Sequence, residues 1–264
     1  MPRPRVYKTE AVVLRQRKLG EADRIVTLYT PEMGKVEAVA KGARKPTSRL
    51  AGHLEVLSHA TVLLAKGQNL DVVTQAQALE SFPALREDLE RLSRAVYVAE
   101  LVERATPERQ ENYPLYQLLL RTLSYLAQRG QADAVVRWFE VQALDGLGYR
   151  PYLDACAGCR AVLSPTTNYF SASAGGVLCP KCAIGGPNLR PLSVNALKVL
   201  RLMQGGDVNG VLRVRIAAGL AEELEGHLRD YVRYVLEREV KSAAFIQRLR
   251  HEASPGLALE RRRV

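Results

Sequence analysis

The sequence is sparing with the residues on which most catalytic and redox chemistry depends. Its 264 residues include four cysteines, four histidines, three methionines and one tryptophan. The histidines (His53, His59, His227 and His251) fall into no catalytic or ligand-like spacing, which removes the His-Glu-x-x-His metalloprotease pattern. There is no Gly-x-Gly-x-x-Gly for a dinucleotide and no Gly-x-Ser-x-Gly nucleophile elbow. The stretch Gly42-Ala43-Arg44-Lys45-Pro46-Thr47-Ser48 has its glycine and lysine misplaced for a phosphate-binding loop. Carboxylates are plentiful on the helical stretches, but they sit among arginines as solvated faces. No apolar run is long enough to span a bilayer, and no apolar signal segment opens the chain, so the expected setting is cytoplasmic and not membranous. These absences favour a binding protein over an enzyme.

The few cysteines are not scattered. Cys156-x2-Cys159 is followed, after nineteen residues, by Cys179-x2-Cys182. Two such knuckles at this separation have the spacing of a four-thiolate zinc site. Gly158 gives the first knuckle a permissive backbone and Pro180 shapes the second. Four sulfurs close the coordination sphere, so Zn2+ here is expected to be structural. Two disulfides would suit a small secreted chain better than this one. A redox pair at Cys179-Pro180-Lys181-Cys182 would leave Cys156 and Cys159 without a role. A zinc deaminase, or another zinc-dependent hydrolase of nucleic acid, is the alternative enzyme reading. His53-Leu54-Glu55 is present for it, but Leu178 and not proline precedes Cys179, against the deaminase signature.

The formal net charge is +10, and its distribution says more than its total. Residues 1–80 hold 13 Lys and Arg against 8 Asp and Glu, residues 81–189 hold 11 against 11, and residues 190–264 hold 14 against 9. Two basic ends flank a neutral middle, a surface suited to polyanions and first of all to nucleic acid.

Hydrophobic periodicity divides the chain. Five short strands are expected over residues 6–17, 24–30, 35–40, 54–65 and 70–79, separated by turn signals such as Pro31-Glu32-Met33-Gly34. Five strands in about eighty residues suggest an oligonucleotide/oligosaccharide-binding (OB) barrel. After Phe82-Pro83 the period becomes helical, with Leu85, Leu89, Leu92, Val96, Ala99 and Val102 on one face. Further helices are expected from Leu115 to Leu126, from Ala132 to Leu147 with Trp138 and Phe139 in the core, from an N-cap at Ser193 to Met203, and from Val211 to Val240. Residues 241–264 are expected to be loosely ordered. The fold class is therefore α+β and multidomain: a five-stranded OB-fold domain over 1–80, an all-helical domain over 81–264, and a four-cysteine zinc-finger insertion over 150–186.

The strongest binding candidate is the run from Lys41 to Arg49. Lys41, Arg44, Lys45 and Arg49 lie within nine residues, punctuated by Gly42 and Pro46. They follow the third strand and can neutralise phosphates, while Thr47 and Ser48 add hydrogen bonds. Arg24 and Lys35 on neighbouring strands widen the expected track. Residues 1–80 contain only Tyr7 and Tyr29 as aromatics. Base stacking, about 1–3 kcal/mol per base in OB folds, therefore has little to work with there. Affinity is expected to come from phosphate neutralisation, with tolerance of single and double strands and steep salt dependence.

Segments along most of the chain resemble the RecO family of recombination mediators. The likeness is carried by Gly20-Glu21-Ala22-Asp23-Arg24-Ile25-Val26, by Thr30-Pro31-Glu32-Met33-Gly34-Lys35 and by Ala40 to Lys45. It continues in Arg137-Trp138-Phe139-Glu140, in Leu147-Gly148-Tyr149-Arg150-Pro151 and in Pro191-Leu192-Ser193. The resemblance implies an OB-fold, a helical domain with a zinc-finger insertion, and a non-enzymatic part in recombinational DNA repair near the nucleoid. It implies binding of single- and double-stranded DNA and annealing of complementary strands. It also implies action with RecR on DNA covered by single-stranded-DNA-binding protein, so that RecA loads downstream. Lys35, Lys41, Arg44, Lys45 and Arg49 match the positions of the family's DNA-contacting face, and the acidic tail of single-stranded-DNA-binding protein is expected to dock on the helical domain.

Overall fold

The computed structural model describes residues 5–237 apart from 129, 187 and 188, together with 240, 242, 243, 245, 246 and 249. The chain divides into two compact units, Met1–Asn112 with Val240–Val264 and Tyr113–Glu239. The expectation for residues 241–264 falls largely outside the described residues. No helix among the described residues is long and apolar enough to cross a membrane.

The first unit is built on β1 (Val6–Leu19), β2 (Asp23–Thr30), β3 (Gly34–Ala40), β4 (His59–Ala65) and β5 (Asp71–Glu80). They close into a barrel in the order β1-β2-β3-β5-β4, antiparallel except where β3 and β5 meet in parallel. Strict alternation of buried and half-buried residues in β3 and β4 places Ala38, Ala40, Val62 and Leu64 inside, with Val13, Val26 and Leu28. Full burial of a valine or leucine contributes about 1.5–3 kcal/mol, so this small apolar interior carries much of the unit's stability. The expected five-stranded barrel is present.

The fourth strand begins at His59 and not at residue 54. Ala51–His53 forms a 3-10 turn, and Leu57 takes a left-handed backbone at φ 72° while remaining buried. An extended strand cannot pass through that conformation. The Leu57 N–H instead bonds the Val13 carbonyl at 2.8 Å, beside the register shift in β1 between Val13 and Arg15.

Helices α1 (Pro83–Arg86) and α2 (Leu89–Ala105) follow the barrel in the first unit. Asp88 caps α2, accepting from the N–H groups of Glu90 and Arg91, which satisfies donors that a helix start leaves open. The segment after α2 then runs beside the barrel. Lys35 and Glu108 form a parallel bridge, and the Arg109 N–H donates to the Lys35 carbonyl at 2.8 Å.

The second unit contains α3 (Tyr113–Ala127), α4 (Ala132–Gly146), β6 (Asn168–Ser171), β7 (Gly176–Leu178), α5 (Pro180–Ala183), β8 (Arg190–Leu192), α6 (Val194–Gln204), α7 (Val208–Leu212) and α8 (Ala218–Leu236). Helix α4 is its centre, packed against α3, α6, α7 and α8. Trp138 and Phe139 are buried, as their core reading requires. Ser193 is the N-cap of α6, its hydroxyl accepting from the Ala196 N–H at 3.1 Å. The single helix expected from Val211 to Val240 is instead two. Asp207 caps α7. From Leu212 to Ala217 the chain alternates half-buried and exposed residues, with Arg213 and Arg215 outward. That two-residue period gives a helix no apolar face, so α8 starts afresh after Ala217.

Candidate metal centre and nucleic-acid interface

The four cysteines converge within the second unit, their sulfurs all lying within 4.8 Å of one another. Cys159 Sγ and Cys179 Sγ are 3.9 Å apart, close to the edge of about 3.8 Å that a tetrahedron with Zn–S bonds of ~2.3 Å would have. All four are free thiols, and that separation is far beyond the S–S bond of ~2.05 Å. The first knuckle is closed by the Arg160 N–H, which donates to the Cys156 carbonyl at 2.9 Å with Arg160 at φ 63°. Glycine at position 158 sits close to the second knuckle: a Cβ there would lie 3.3 Å from Cys182 Cβ and Sγ, a tight approach that a larger residue would have to relieve. In the second knuckle the Cys179 N–H donates to Cys156 Sγ at 3.3 Å. The Arg160 guanidinium stacks over the Tyr152 ring at 4.5 Å, tying the knuckle to the strand-like segment before it.

The electrostatics suit a cation. Burial pushes the Cys156 thiol up, but N–H groups of Cys159, Cys179 and Gly158 outweigh it and bring the thiol down to about 6. Hydrogen bonds with the sulfurs of Cys159, Cys156 and Cys179 push Cys182 up to about 12. One thiolate forms readily and its neighbours then resist, a conflict that a central divalent ion removes. The residues present therefore fit a four-sulfur metal site. Such a site supplies a structural clip, having no open coordination position.

The predicted DNA contacts occupy the first unit. Arg44 donates through its backbone N–H to the Ala22 carbonyl at 2.9 Å and through its guanidinium to the Gly20 carbonyl at 2.9 Å. The Asp23 carboxylate accepts from the Gly42 N–H at 2.7 Å. These bonds lay the 41–45 loop against the β1–β2 turn. Arg24 donates to the Gln16 side-chain carbonyl at 2.5 Å, and the Gln16 amide donates to the Leu54 carbonyl. The loop from Lys41 to Leu54, which carries Arg49, is thus tied at both ends to one end of the barrel. Lys41, Lys45 and Arg49 are exposed there.

Lys35 is placed differently. Arg24 pairs with Ala40, whereas Lys35 pairs with Tyr29, so the two basic residues sit five positions apart along β3, about 16 Å. The Lys35 ammonium donates to the Glu103 carbonyl at 2.6 Å, at the close of α2.

Lys18, overlooked in the sequence, pairs across the ladder from Arg24 and is exposed beside the β1–β2 turn. The signal was the basic run Arg15-Gln16-Arg17-Lys18 immediately before that turn. Arg15 and Arg17 of the same run are neutralised, by Glu103 at 3.0 Å and Glu37 at 2.8 Å. Among the described residues, Lys18, Lys41, Lys45 and Arg49 have no carboxylate partner.

Comparison with known proteins shows the family of the chain. The family described as "Recombination protein O N terminal" matches residues 4–82, and "Recombination protein O C terminal" matches residues 86–244. The chain belongs to the RecO family. A relative from Roseiflexus sp. (strain RS-1), named DNA repair protein RecO, is 46% identical over 248 residues, covering 94% of this chain and 87% of the relative. A protein of the same name from Dehalococcoides mccartyi (strain ATCC BAA-2266 / KCTC 15142 / 195) is 41% identical, covering 94% and 98%. Another from Symbiobacterium thermophilum is 40% identical, covering 93% and 98%. The RecO N-terminal match coincides with the barrel, and the C-terminal match contains the cysteine cluster.

Proposed function

We propose that this protein is a recombination mediator. It binds single- and double-stranded DNA, anneals complementary strands, and acts with RecR so that RecA loads onto DNA covered by single-stranded-DNA-binding protein. The role is non-enzymatic and belongs to the cytoplasm, at the nucleoid. The observation that carries the reading is the basic barrel end, where Lys18, Arg24, Lys41, Arg44, Lys45 and Arg49 gather and none of the six has a carboxylate partner among the described residues. Held cations of this kind neutralise two phosphate backbones at once, which is the main obstacle to bringing strands together. Membership of a family whose relatives are named for DNA repair supports the same reading.

Zn2+ is the metal that four thiolates in a tetrahedral setting favour. Held by Cys156, Cys159, Cys179 and Cys182, it would fix the knuckles and take no part in the phosphate contacts at the barrel end. For the acidic tail of single-stranded-DNA-binding protein, a cleft of about 440 Å³ on α3 and α4 is the best-suited surface in the second unit. Leu118 and Arg121 line it, with the Arg121 guanidinium 5.6 Å from the buried Trp138 ring, and Asp145 is the acidic residue of the lining. An apolar side chain and a carboxylate both find partners there.

The test is annealing of complementary oligonucleotides, bare and coated with single-stranded-DNA-binding protein, without nucleotide, alongside binding titrations at several salt concentrations. Acceleration of annealing and a log–log slope near −3.5 on single strands, for about five phosphate contacts, are expected. A nearly flat slope defeats the electrostatic account.

A further inference from the structure

The barrel unit is poor in stacking surfaces: Tyr29 is fully buried and Tyr7 half-buried. Phe245, 40% exposed, also belongs to the first unit, but the most exposed rings lie in the other. Among the described residues, three tyrosines are at least half exposed, Tyr113 at 52%, Tyr149 at 50% and Tyr234 at 55%. Two of these three, Tyr149 and Tyr234, line a single open cleft of about 990 Å³.

That cleft is built on the cysteine-bearing insertion and the last turns of α8. Its floor is the tight β6–β7 turn, in which Ala172, Ser173, Ala174 and Gly175 present no bulky side chain. Gly175 holds φ +68°, and its ideal Cβ would lie 3.9 Å from the Tyr231 hydroxyl. The Tyr231 hydroxyl donates to the Tyr149 carbonyl at 3.1 Å and so fixes the backbone that carries the Tyr149 ring. Two guanidiniums stand on one carboxylate: Arg190 reaches Asp230 at 2.7 Å and Arg233 reaches it at 3.8 Å. The short contact restrains Arg190, whereas Arg233 stands at longer range with its side chain 59% exposed. Asp230 and Glu237 balance the two arginines in formal charge, so phosphate recognition here rests on guanidinium geometry and not on net charge.

We propose that this cleft holds a short single-stranded stretch of DNA, with bases stacked on Tyr149 and Tyr234 and backbone phosphates at Arg190 and Arg233. The inference rests on the DNA-binding reading above and adds a second, chemically different site to the chain. Aromatic faces recognise unpaired bases irrespective of sequence, whereas a duplex keeps its base faces stacked inside. Guanidiniums bind phosphate in a planar fork geometry, and small floor residues leave room for a ribose and base. The barrel end is predicted to be indifferent to strandedness; this cleft discriminates for the single strand. A chain with both can hold one strand by its backbone and present another with its bases ordered.

The experiment uses the full-length, metal-replete protein with a fluorescent oligothymidylate and a duplex of equal length. Tyr149→Ala/Tyr234→Ala is expected to bind the single strand about tenfold more weakly while duplex affinity and the salt slope stay within about twofold of the unmodified protein. Tyr149→Phe/Tyr234→Phe, which keeps the ring faces, is expected to restore single-strand binding. Crosslinking with a 5-bromodeoxyuridine oligonucleotide is expected to label the peptides carrying residues 149 and 234. Circular dichroism and melting establish that the alanine variant is folded. Unchanged single-strand affinity, or an equal loss on duplex, overturns the cleft while leaving the barrel site intact. Failure of the unmodified protein to bind either form overturns the cleft and the parent reading together.

Discussion

The Arg109 guanidinium donates to the Asp71 carboxylate at 2.9 Å, joining the segment after α2 to the start of β5. The same carboxylate accepts from the Tyr7 hydroxyl on β1. Asp71 is buried, and its side chain is only 3% exposed. Burial pushes its carboxyl up, but the hydrogen bonds from Tyr7 and Arg109 outweigh that and hold it below the ordinary 3.8. A folded-state pKa below the unfolded one means that the stabilisation is complete above the unfolded value and disappears as pH falls through the folded one. Asp71→Asn is therefore expected to cost about 2 kcal/mol near neutrality, a figure kept modest because Arg109 is half in solvent. The melting temperatures of the parent and the variant should converge on acidification below about pH 4. A difference that is constant over that range contradicts the linkage.

His227 sets a different pH limit in the second unit. It is 2% exposed and packs 5.5 Å from the Phe170 ring. Burial drives its pKa below the ordinary 6.5, and Arg190 lowers it further against the opposing pull of Glu223. The unfolded chain then takes up a proton that the folded one refuses, so stability is lost as pH falls below about 6.5. His227→Gln is expected to flatten the dependence of this unit's melting on pH between about 6.5 and 5. A slope that survives the substitution assigns the effect to another group.

Much of this architecture was legible in the residues, and the exceptions have identifiable causes. Strands β3 and β4 alternate by two, so their pattern survives in the sequence, while the continuously buried Ile25–Thr30 of β2 reads as a short apolar run bounded by turn signals. The metal cluster was legible because ligand spacing is local: the first knuckle closes by a backbone bond within a few residues, from Arg160 to Cys156. The late start of the fourth strand was hidden, since nothing in Leu54–Ser58 marks Leu57 as left-handed; a non-local bond to Val13 imposes it. The break between α7 and α8 was written in Leu212–Ala217 as a two-residue alternation, masked by apolar positions that also fit a helix. Tethering of Lys35 to the close of α2 depends on a bond 68 residues away, which no local pattern carries.

Charge at the barrel end gives the clearest functional variant. Arg44 also closes the loop by bonding the Gly20 carbonyl, so its reversal mixes folding with binding. Lys41 and Lys45 are exposed and unpaired among the described residues. Lys41→Glu/Lys45→Glu is expected to leave melting unchanged within about 1 kcal/mol and to weaken DNA binding at least about tenfold at low salt. The salt slope on single strands should fall by about 0.7 for each phosphate no longer neutralised. Unaltered affinity moves the principal site off this loop.

Removing one sulfur separates the clip from the interface. Cys159→Ala is expected to abolish stoichiometric zinc and to lower stability by several kcal/mol, on the order of the cost of losing a structural metal. DNA affinity per folded molecule at the barrel end should change little, because Lys18, Lys41 and Lys45 belong to the other compact unit. Cobalt substitution of the parent protein should give the absorption of a tetrahedral tetrathiolate. A histidine or water ligand in that spectrum, or selective loss of duplex binding at normal stability, contradicts the structural role.

Gly34 tests how the barrel is joined to the segment that follows α2. It sits at φ +60°, and a Cβ built there would lie 1.9 Å from the Gln110 carbonyl oxygen. That approach is to backbone, so it cannot be relieved by turning a side chain. The neighbouring bond from the Arg109 N–H to Lys35 and the Asp71–Arg109 pair hold the same segment in place. Gly34→Ala therefore combines left-handed strain of about 1 kcal/mol with displacement of a paired strand-like segment, and a total loss of about 3 kcal/mol or more is expected. Gly20→Ala is the matched control: it also has positive φ, at +56°, but its Cβ meets nothing within 4 Å, so it should show the strain alone. Chemical denaturation of the two variants separates the terms, and equal losses would show that the approach of Gln110 to Gly34 does not constrain the fold.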